Sequence, residues 1–538
     1  MFTKNCKVFF ICLIWSATSN GASISIDSVN QQQVTGWGIC TWNRADWGAD
    51  WVISPHANVC DAAYSQLGAT HLRIDLSYGN INVNGIVTDS IHLISVKRHI
   101  LAATGRGLTY FISIWTPPPE MKIPATASGS LNGVDAHLRT DREDLFVQRV
   151  TEAINWLMAQ GCPLPAAFSF QNEPDYNPWY DGCVYDPVQY QRVAKKFRAY
   201  FDSHSLAGLK LHLADAGHQI ALLDLLGSSR GDLGALDDDE VLNAACPILS
   251  VHTYDMHNGQ CETWNTNILD RYVKAITGRN KEFWMTEYSA METTENTWQG
   301  LINTVRHMNR DMSTLRLNLW SYFMIWAEQD GLFVSGTSAT AVTRSPWFYV
   351  FSKIWNNARP GSYVRQVTTT DADLKGYGLY NCAQDFAAYY ISSSSMVLVV
   401  TNPTANNKTL DINGLVGSLA TVYRMNSAYV SNTDMGNGGS YPVANKTLRA
   451  VQFPANTISV ILTGNGTSVT HRQPSPLARS STTKSSFEVL NAAGQVLMRL
   501  KNKTNAEMRS ILSNRSGGVV FIREESPARL VALRVLSR

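Results

Sequence analysis

Two glutamates in this chain are set up alike. Glu173 stands in Gln171-Asn172-Glu173-Pro174-Asp175-Tyr176, directly after the short apolar run Ala167–Phe170. Glu287 stands in Phe283-Trp284-Met285-Thr286-Glu287-Tyr288, again just past a short apolar run. Two carboxylates facing each other across one cleft are what glycosidic-bond cleavage requires. One stays protonated to donate to the leaving oxygen, and the other stays ionised to act at the anomeric carbon. Surroundings that push the two pKa values apart allow that division of labour. A lone glutamate after a strand is ordinarily a solvated loop residue or a helix-start charge, so the pairing carries the weight.

What must position them is a repeated strand and helix. Between residues 34 and 358, short apolar runs alternate with amphipathic stretches. The pattern predicts strands at Val34–Gly38, His71–Asp75, Thr109–Trp115, Ala167–Gln171, Lys210–Ala214, Leu249–His252, Phe283–Thr286 and Leu317–Tyr322. It predicts helices at Ser90–Thr104, Arg142–Gln160, Pro187–His204, Asn267–Thr277 and Asn296–Met312. Eight strands alternating with helices suggest an α/β fold, a (β/α)8 TIM barrel, with both glutamates at the C-terminal ends of strands four and seven, where this fold builds its sites. A doubly wound open sheet is the alternative. No GxGxxG or GxxxxGK[ST] follows the first strand, which weakens its nucleotide-binding form.

The domain reading is a signal peptide at 1–22, the barrel at 23–358, an all-β sandwich side domain at 359–464, a linker at 465–486 and a small C-terminal β module at 487–538. Residues 23–33 are candidates for a strand of the side domain. The signal rests on Lys4 and Lys7, the apolar run Val8–Trp15, and the small residues Ala17, Ser19, Gly21 and Ala22. Residues 479–538 carry 11 basic and 4 acidic side chains, although the whole chain is only net +2, which marks the tail as a separate unit.

Composition narrows the function. A net charge of +2 argues against a dedicated nucleic-acid binder. No segment is apolar for long enough to span a bilayer, so no membrane span is expected. Aromatics are plentiful, with 15 Trp and 21 Tyr, which suits sugar rings as well as an ordinary core. Seven cysteines lie outside the signal, with no CxxC and no zinc spacing, and Cys246–Cys261 could close a short loop. The run Asp237-Asp238-Asp239-Glu240 lacks calcium-loop spacing and reads as solvated. No cofactor and no metal are expected.

Across roughly residues 23–464 the sequence resembles glycoside hydrolase family 30, in the clan that carries its catalytic glutamates on strands four and seven. The resemblance rests on Gly36-Trp37-Gly38, Leu72-Arg73-Ile74, Trp115-Thr116-Pro117-Pro118 with Met121-Lys122, the QNEPDY segment, His252-Thr253-Tyr254, WMTEY, Leu319-Trp320-Ser321-Tyr322 and Arg359-Pro360-Gly361. It implies Glu173 as general acid/base and Glu287 as nucleophile of a retaining enzyme, with carboxyls about 5–5.5 Å apart. It implies that Asn172 binds the sugar 2-hydroxyl, that Tyr254 and Arg73 hold Glu287 ionised, and that Trp115 and Trp320 line the subsite of cleavage. His252 reads as a satisfied interior histidine.

The two glutamate segments look most like the xylan-cleaving branches, so a secreted or cell-surface endo-β-1,4-xylanase acting on plant cell-wall polysaccharide, as a monomer, is the expectation. Branches that recognise glucuronic acid do so through an Arg in the strand-eight loop. Here Phe323-Met324-Ile325-Trp326-Ala327-Glu328-Gln329-Asp330 offers none, and two acids would repel a substrate carboxylate. Other branches cleave β-1,6-galactan, β-1,6-glucan, β-fucosides or glucosylceramide. Trp42, Trp47, Trp51, Trp179 and Tyr180 lie in loops after strands one and four, placed to stack on sugars or to pack the loops. The tail resembles a type IX secretion sorting domain, which implies secretion machinery as a partner; an accessory binding module is its rival. A non-catalytic carbohydrate-binding protein and a metal-dependent hydrolase are the alternatives from other classes.

Overall fold

The computed structural model describes residues 21–41, 57–76, 78–228, 232–254, 266–289, 297–324, 333–335, 342–378, 383–426 and 434–465, and the backbone of four strands between 485 and 535. Residues 1–20 of the signal, Trp42, Trp47, Trp51, Cys261, Cys382, Trp326, Glu328, Asp330 and residues 466–484 of the linker lie outside the described residues.

Eight parallel strands close into a barrel: β1 Gly36–Thr41, β2 His71–Asp75, β3 Thr109–Ser113, β4 Ala167–Ser169, β5 Lys210–Ala216, β6 Ile248–Val251, β7 Glu282–Met285 and β8 Leu319–Tyr322. Strand eight pairs back onto strand one, Trp320 opposite Trp37 and Ser321 opposite Gly38. The helices over the barrel are α1 Ile91–Thr104, α2 Glu143–Ala159, α3 Pro187–Ser203, α4 Gln219–Leu226, α5 Thr266–Ile276, α6 Trp298–Ser313 and α7 Pro346–Trp355. Their starts are chemically marked: Ser90, Asp186 and Thr297 each accept a backbone N–H of the first turn, and Pro187 and Pro346 open α3 and α7. The expected (β/α)8 barrel is therefore present. Helices α4 and α7, which are apolar nearly all round, had no expected counterpart.

Strand alternation sorts side chains to the two sides of the barrel wall. Phe111, Ala167, Ile248, Trp284 and Leu319 form the apolar interior. Further along the same inward parity come Arg73, Ser113, Ser250 and Ser321, so the interior turns polar toward the C-terminal mouth. Glycine is required on this wall at one strand pair: a Cβ on Gly38 would lie 2.6 Å from Ser321 Cβ. The outward parity, Trp37 and Trp320 among it, packs under the helices.

The side domain is a two-sheet sandwich. Its six-stranded sheet runs Tyr363–Arg365, Phe386–Ser392, Ser395–Asn402, Thr457–Gly464, Leu419–Asn426, Gly436–Pro442. Its four-stranded sheet runs Val367–Thr369, Ser23–Ile26, Lys408–Asn413, Thr447–Phe453. Ile24, Ile412, Phe386, Leu398 and Ile461 fill the space between the sheets, while Tyr389, Val397, Val399 and Val460 face the barrel helices. Ser23–Ile26 pairs with both neighbours in that second sheet, so the chain enters through the side domain before it opens the barrel.

The tail is a separate compact unit. Its strands Val496–Lys503, Ser485–Leu490, Gly518–Glu525 and Ala528–Val535 form one antiparallel sheet in that order.

Candidate active site

Residues from four strands converge at the mouth. Glu173 follows β4, Glu287 follows β7, and His252 and Tyr254 follow β6; Arg73 lies within β2. A carboxylate oxygen of Glu173, one of Glu287 and a ring nitrogen of His252 all lie within 4.8 Å of one another. Both glutamates are nearly buried, at 6% and 7% exposure.

Each carboxylate has its own donors. Glu287 accepts from Arg73 Nη1 at Oε2, and from the Tyr254 hydroxyl at Oε1 at 3.0 Å. Glu173 accepts from the Tyr180 hydroxyl at Oε2 at 2.9 Å, and its Oε1 lies 3.0 Å from His252 Nδ1. Arg73 Nη2 also donates to Asn172 Oδ1 at 2.6 Å. That occupies the acceptor end of the Asn172 amide, and its N–H end is the one left to meet a hydroxyl. The Arg73 guanidinium lies 4.4 Å from the centre of the Trp115 ring, a cation–π contact. Gln171 Nε2 donates to the Trp115 carbonyl at 2.7 Å and ties the segments just past strands three and four together.

One expected residue is elsewhere. Trp320 does not line the cleft. It lies between Leu319 and Ser321, which face the barrel interior, so alternation turns it outward. It is fully buried, stacks on Phe351 at 5.6 Å, and donates from Nε1 to Asp311 Oδ2 at 3.1 Å. Its place is in the layer between wall and helices.

Asp215 is a site residue that sequence reasoning missed. It lies near the end of β5, fully buried. It accepts from Ser113 Oγ at 2.7 Å, from Arg73 Nη2 at 3.1 Å and from Thr286 Oγ1, and its Oδ1 lies 3.3 Å from His252 Nε2. Burial opposes its charge, but Arg73, His212 and His252 hold its carboxyl well below the usual carboxylate range. The signal available in sequence was an acid on the fifth strand, inside the otherwise small or apolar Leu213-Ala214-Asp215-Ala216-Gly217.

The backbone at these strand ends is unusual. Glu173, Asp215 and Thr253 have φ of 48°, 54° and 57°, left-handed values that non-glycine residues rarely take. Such conformations persist only where surrounding contacts enforce them, and they cluster at functional sites. Glu173 N–H donates to the Asp215 carbonyl at 2.9 Å, which couples two of the three.

The electrostatics follow from the packing. Burial disfavours the His252 cation, yet Glu287, Asp215 and Glu173 outweigh it and push its pKa up to about 10. Burial raises the Glu287 carboxyl above the usual carboxylate range; the His252 and Arg73 cations pull it back, and the Glu173 charge adds to the rise. Asp215 and Glu287 likewise outweigh burial and hold Arg73 charged. Glu173, His252 and Glu287 have metal-ligand spacing, but they fit a metal poorly. A guanidinium already occupies Glu287, and His252 is held as a cation between two acids.

Elsewhere, Asp237 pairs with Arg279 while Asp239 caps a short helix and pairs with Lys195, so the acidic run is engaged structurally. Cys246 is a buried free thiol, as are Cys40, Cys60, Cys162 and Cys183. Among the described residues no helix is long and apolar enough to cross a membrane.

No family model matches the chain, and no curated protein does. Solved structures do match. A GH30 endoxylanase from Clostridium papyrosolvens C71 aligns with TM-score 0.61 at 19% identity, over 82% of this chain and all of that one. The catalytic domain of GH30 xylanase C from Talaromyces cellulolyticus aligns with TM-score 0.63 at 15% identity, over 82% of this chain and 99% of that one. An endo-β-1,6-glucanase aligns with TM-score 0.57 at 14% identity, over 84% and 95%. The chain shares the fold of these glycoside hydrolases, a (β/α)8 barrel with an attached β-sandwich.

Proposed function

We propose that this protein is a secreted retaining glycoside hydrolase that cleaves β-linkages in plant cell-wall polysaccharide, as an endo-β-1,4-xylanase with β-1,4-xylan as the favoured substrate. The observation that carries the reading is the buried glutamate pair with carboxylate oxygens within 4.8 Å, on strands four and seven. Separations near 5 Å suit a retaining double displacement, whereas an inverting enzyme leaves roughly 6.5–9.5 Å for water.

The donors support the division of roles: Arg73 and Tyr254 stand on Glu287 and favour its ionised form. The buried cluster holds two cations, Arg73 and His252, against three acids, Asp215, Glu173 and Glu287. One added proton makes it neutral. We assign that proton to Glu173, which has no guanidinium contact, and the negative charge to Glu287, which accepts from Arg73 and Tyr254. Glu173 then donates the proton to the glycosidic oxygen while a Glu287 oxygen bonds to the anomeric carbon and the C–O bond breaks. In the second half, Glu173 takes a proton from water. The hydroxide so formed bonds to the anomeric carbon and releases Glu287.

Xylan rests on the likeness of the two glutamate segments to xylan-cleaving branches, and the acids after strand eight argue against dependence on a glucuronic acid branch. The β-1,6-glucanase among the structural neighbours favours a second reading, a β-1,6-linked glucan or galactan. Product analysis on glucuronoxylan, arabinoxylan, β-1,6-galactan and β-1,6-glucan decides between them. Xylo-oligosaccharides from both xylans support the first reading, and products from a β-1,6-linked polymer alone overturn it while keeping the mechanism. Hydrolysis undiminished in Glu287→Gln would leave a carbohydrate-binding or metal-dependent role instead. The tail, with its four-stranded sheet, is assigned to sorting through secretion machinery; its removal from the exported protein is the check.

A further inference from the structure

We infer that Trp179 is the stacking platform of a subsite for the leaving-group side of the polysaccharide, a sugar-binding position beyond the point of cleavage. The inference rests on the hydrolase reading above. Trp179 is 86% exposed, more than any other large apolar side chain among the described residues. It sits in the loop between β4 and α3, and that loop is tightly fastened. Gly129 N–H donates to the carbonyls of Pro178 at 2.9 Å and Tyr180 at 3.1 Å. Gly182 N–H donates to the Ala127 carbonyl at 3.1 Å, and Asn177 Nδ2 donates to Asp135 at 2.8 Å. Buried Lys122 donates to the Gly182 and Ala127 carbonyls, at 2.7 and 3.0 Å, so it ties the two loops from below. A Cβ on Gly129 would lie 2.3 Å from Pro178 Cδ, so the loops meet closer than any side chain permits.

The result is an indole in water on a rigid mount. Holding a large apolar ring in solvent has no folding benefit, and a pre-ordered ring loses little freedom when it binds. Trp179 meets the Tyr180 ring edge-on, 5.7 Å between centres at 84°, which leaves an indole face open. Tyr180 in turn donates to Glu173 Oε2. Trp179 is therefore the chain neighbour of the residue that touches Glu173, the group that hands its proton to the departing sugar in this reading. A chain leaving on the Glu173 side runs over Tyr180 onto Trp179, where the C–H face of a pyranose ring stacks on the indole. Tyr176, 41% exposed, extends the same aromatic row. The patch is a row of rings with Asp135 and Asp181 close by in the two loops, which suits a hydroxylated ligand better than the apolar centre of a protein interface.

The test compares a polysaccharide with an activated aryl glycoside whose leaving group does not reach the rim. Trp179→Ala should lower kcat/KM on polymer at least tenfold more than on the aryl glycoside, chiefly through KM, and Trp179→Phe should restore most of it. With the aryl glycoside as donor and oligosaccharides as acceptors, the ratio of transglycosylation to hydrolysis should also fall, because acceptors bind in this subsite. Equal losses on both substrates, or none on polymer, would overturn the subsite while leaving the hydrolase reading intact. A wild-type chain inert on every glycoside would overturn the hydrolase reading and the subsite with it.

Discussion

His252 joins Glu173 to Asp215: its Nδ1 lies 3.0 Å from Oε1 of the glutamate and its Nε2 lies 3.3 Å from Oδ1 of the aspartate. A single imidazole thus ties strand four to strand five through strand six. The same aspartate accepts from Arg73, whose other amino group reaches Glu287. The two glutamates are therefore held from one buried point, and the arrangement makes specific demands.

The first concerns protonation. His252 faces Glu173, Asp215 and Glu287 as acids, with Arg73, His212 and Tyr254 also nearby. A folded-state pKa of about 10 lies above the ordinary 6.5. The stability contributed by this imidazolium is complete below about 6.5 and lost as the pH rises through about 10. NMR titration of the ring should show the high value. Asp215→Asn should lower it and reduce kcat about tenfold to a hundredfold, the scale of a lost charged hydrogen bond. An unchanged ring pKa in that variant would count against the network.

Glu173→Ala should lower kcat on polysaccharide by about 10²–10⁴, as expected for a lost general acid. The loss should be smaller on an activated aryl glycoside, whose leaving group needs no proton. Added azide should restore turnover and give a β-configured glycosyl azide. An α-configured azide would contradict the assignment of Glu287 as nucleophile.

Gly217 lies against Glu173, the proposed acid/base. A Cβ there would stand 3.2 Å from Glu173 Oε1, tighter than ordinary contact. Gly217→Ala should displace the carboxyl and reduce kcat about tenfold, the effect of a slight misplacement, while leaving Tm nearly unchanged. A fall in Tm with kcat retained would place its role in folding.

Trp320 should behave as a core residue. Trp320→Ala should cost about 3–5 kcal/mol of stability. Trp320→Phe should cost about 1–3 kcal/mol through the unpaired Asp311 oxygen. Thermal unfolding checks both, and KM of the Phe variant should equal that of the wild type. A raised KM at unchanged Tm would return Trp320 to the cleft.

The barrel was legible because its strands are short apolar runs and α2 and α3 bury one stripe of an otherwise polar surface. Helix α7, Pro346–Trp355, gave no such stripe: it is wedged between the barrel wall and the side domain and is apolar on most faces. The glutamate pair was legible because both acids break an apolar run at its end. Trp320 was misplaced because a motif gives residue types and not parity; its neighbours Leu319 and Ser321 already fix it outward. Asp215 was overlooked because an aspartate inside a strand shows its meaning only once Arg73, Ser113, His252 and Thr286 arrive from four other strands.

The central claim is a double displacement between Glu173 and Glu287, and the anomeric configuration of the first product tests it most directly. Proton NMR recorded during the first turnovers on the polysaccharide that the protein cleaves should show the β-anomer before mutarotation. A fluorinated slow substrate should leave its sugar covalently on the peptide that contains Glu287. An α-anomer as first product, with no labelled peptide, would contradict the account.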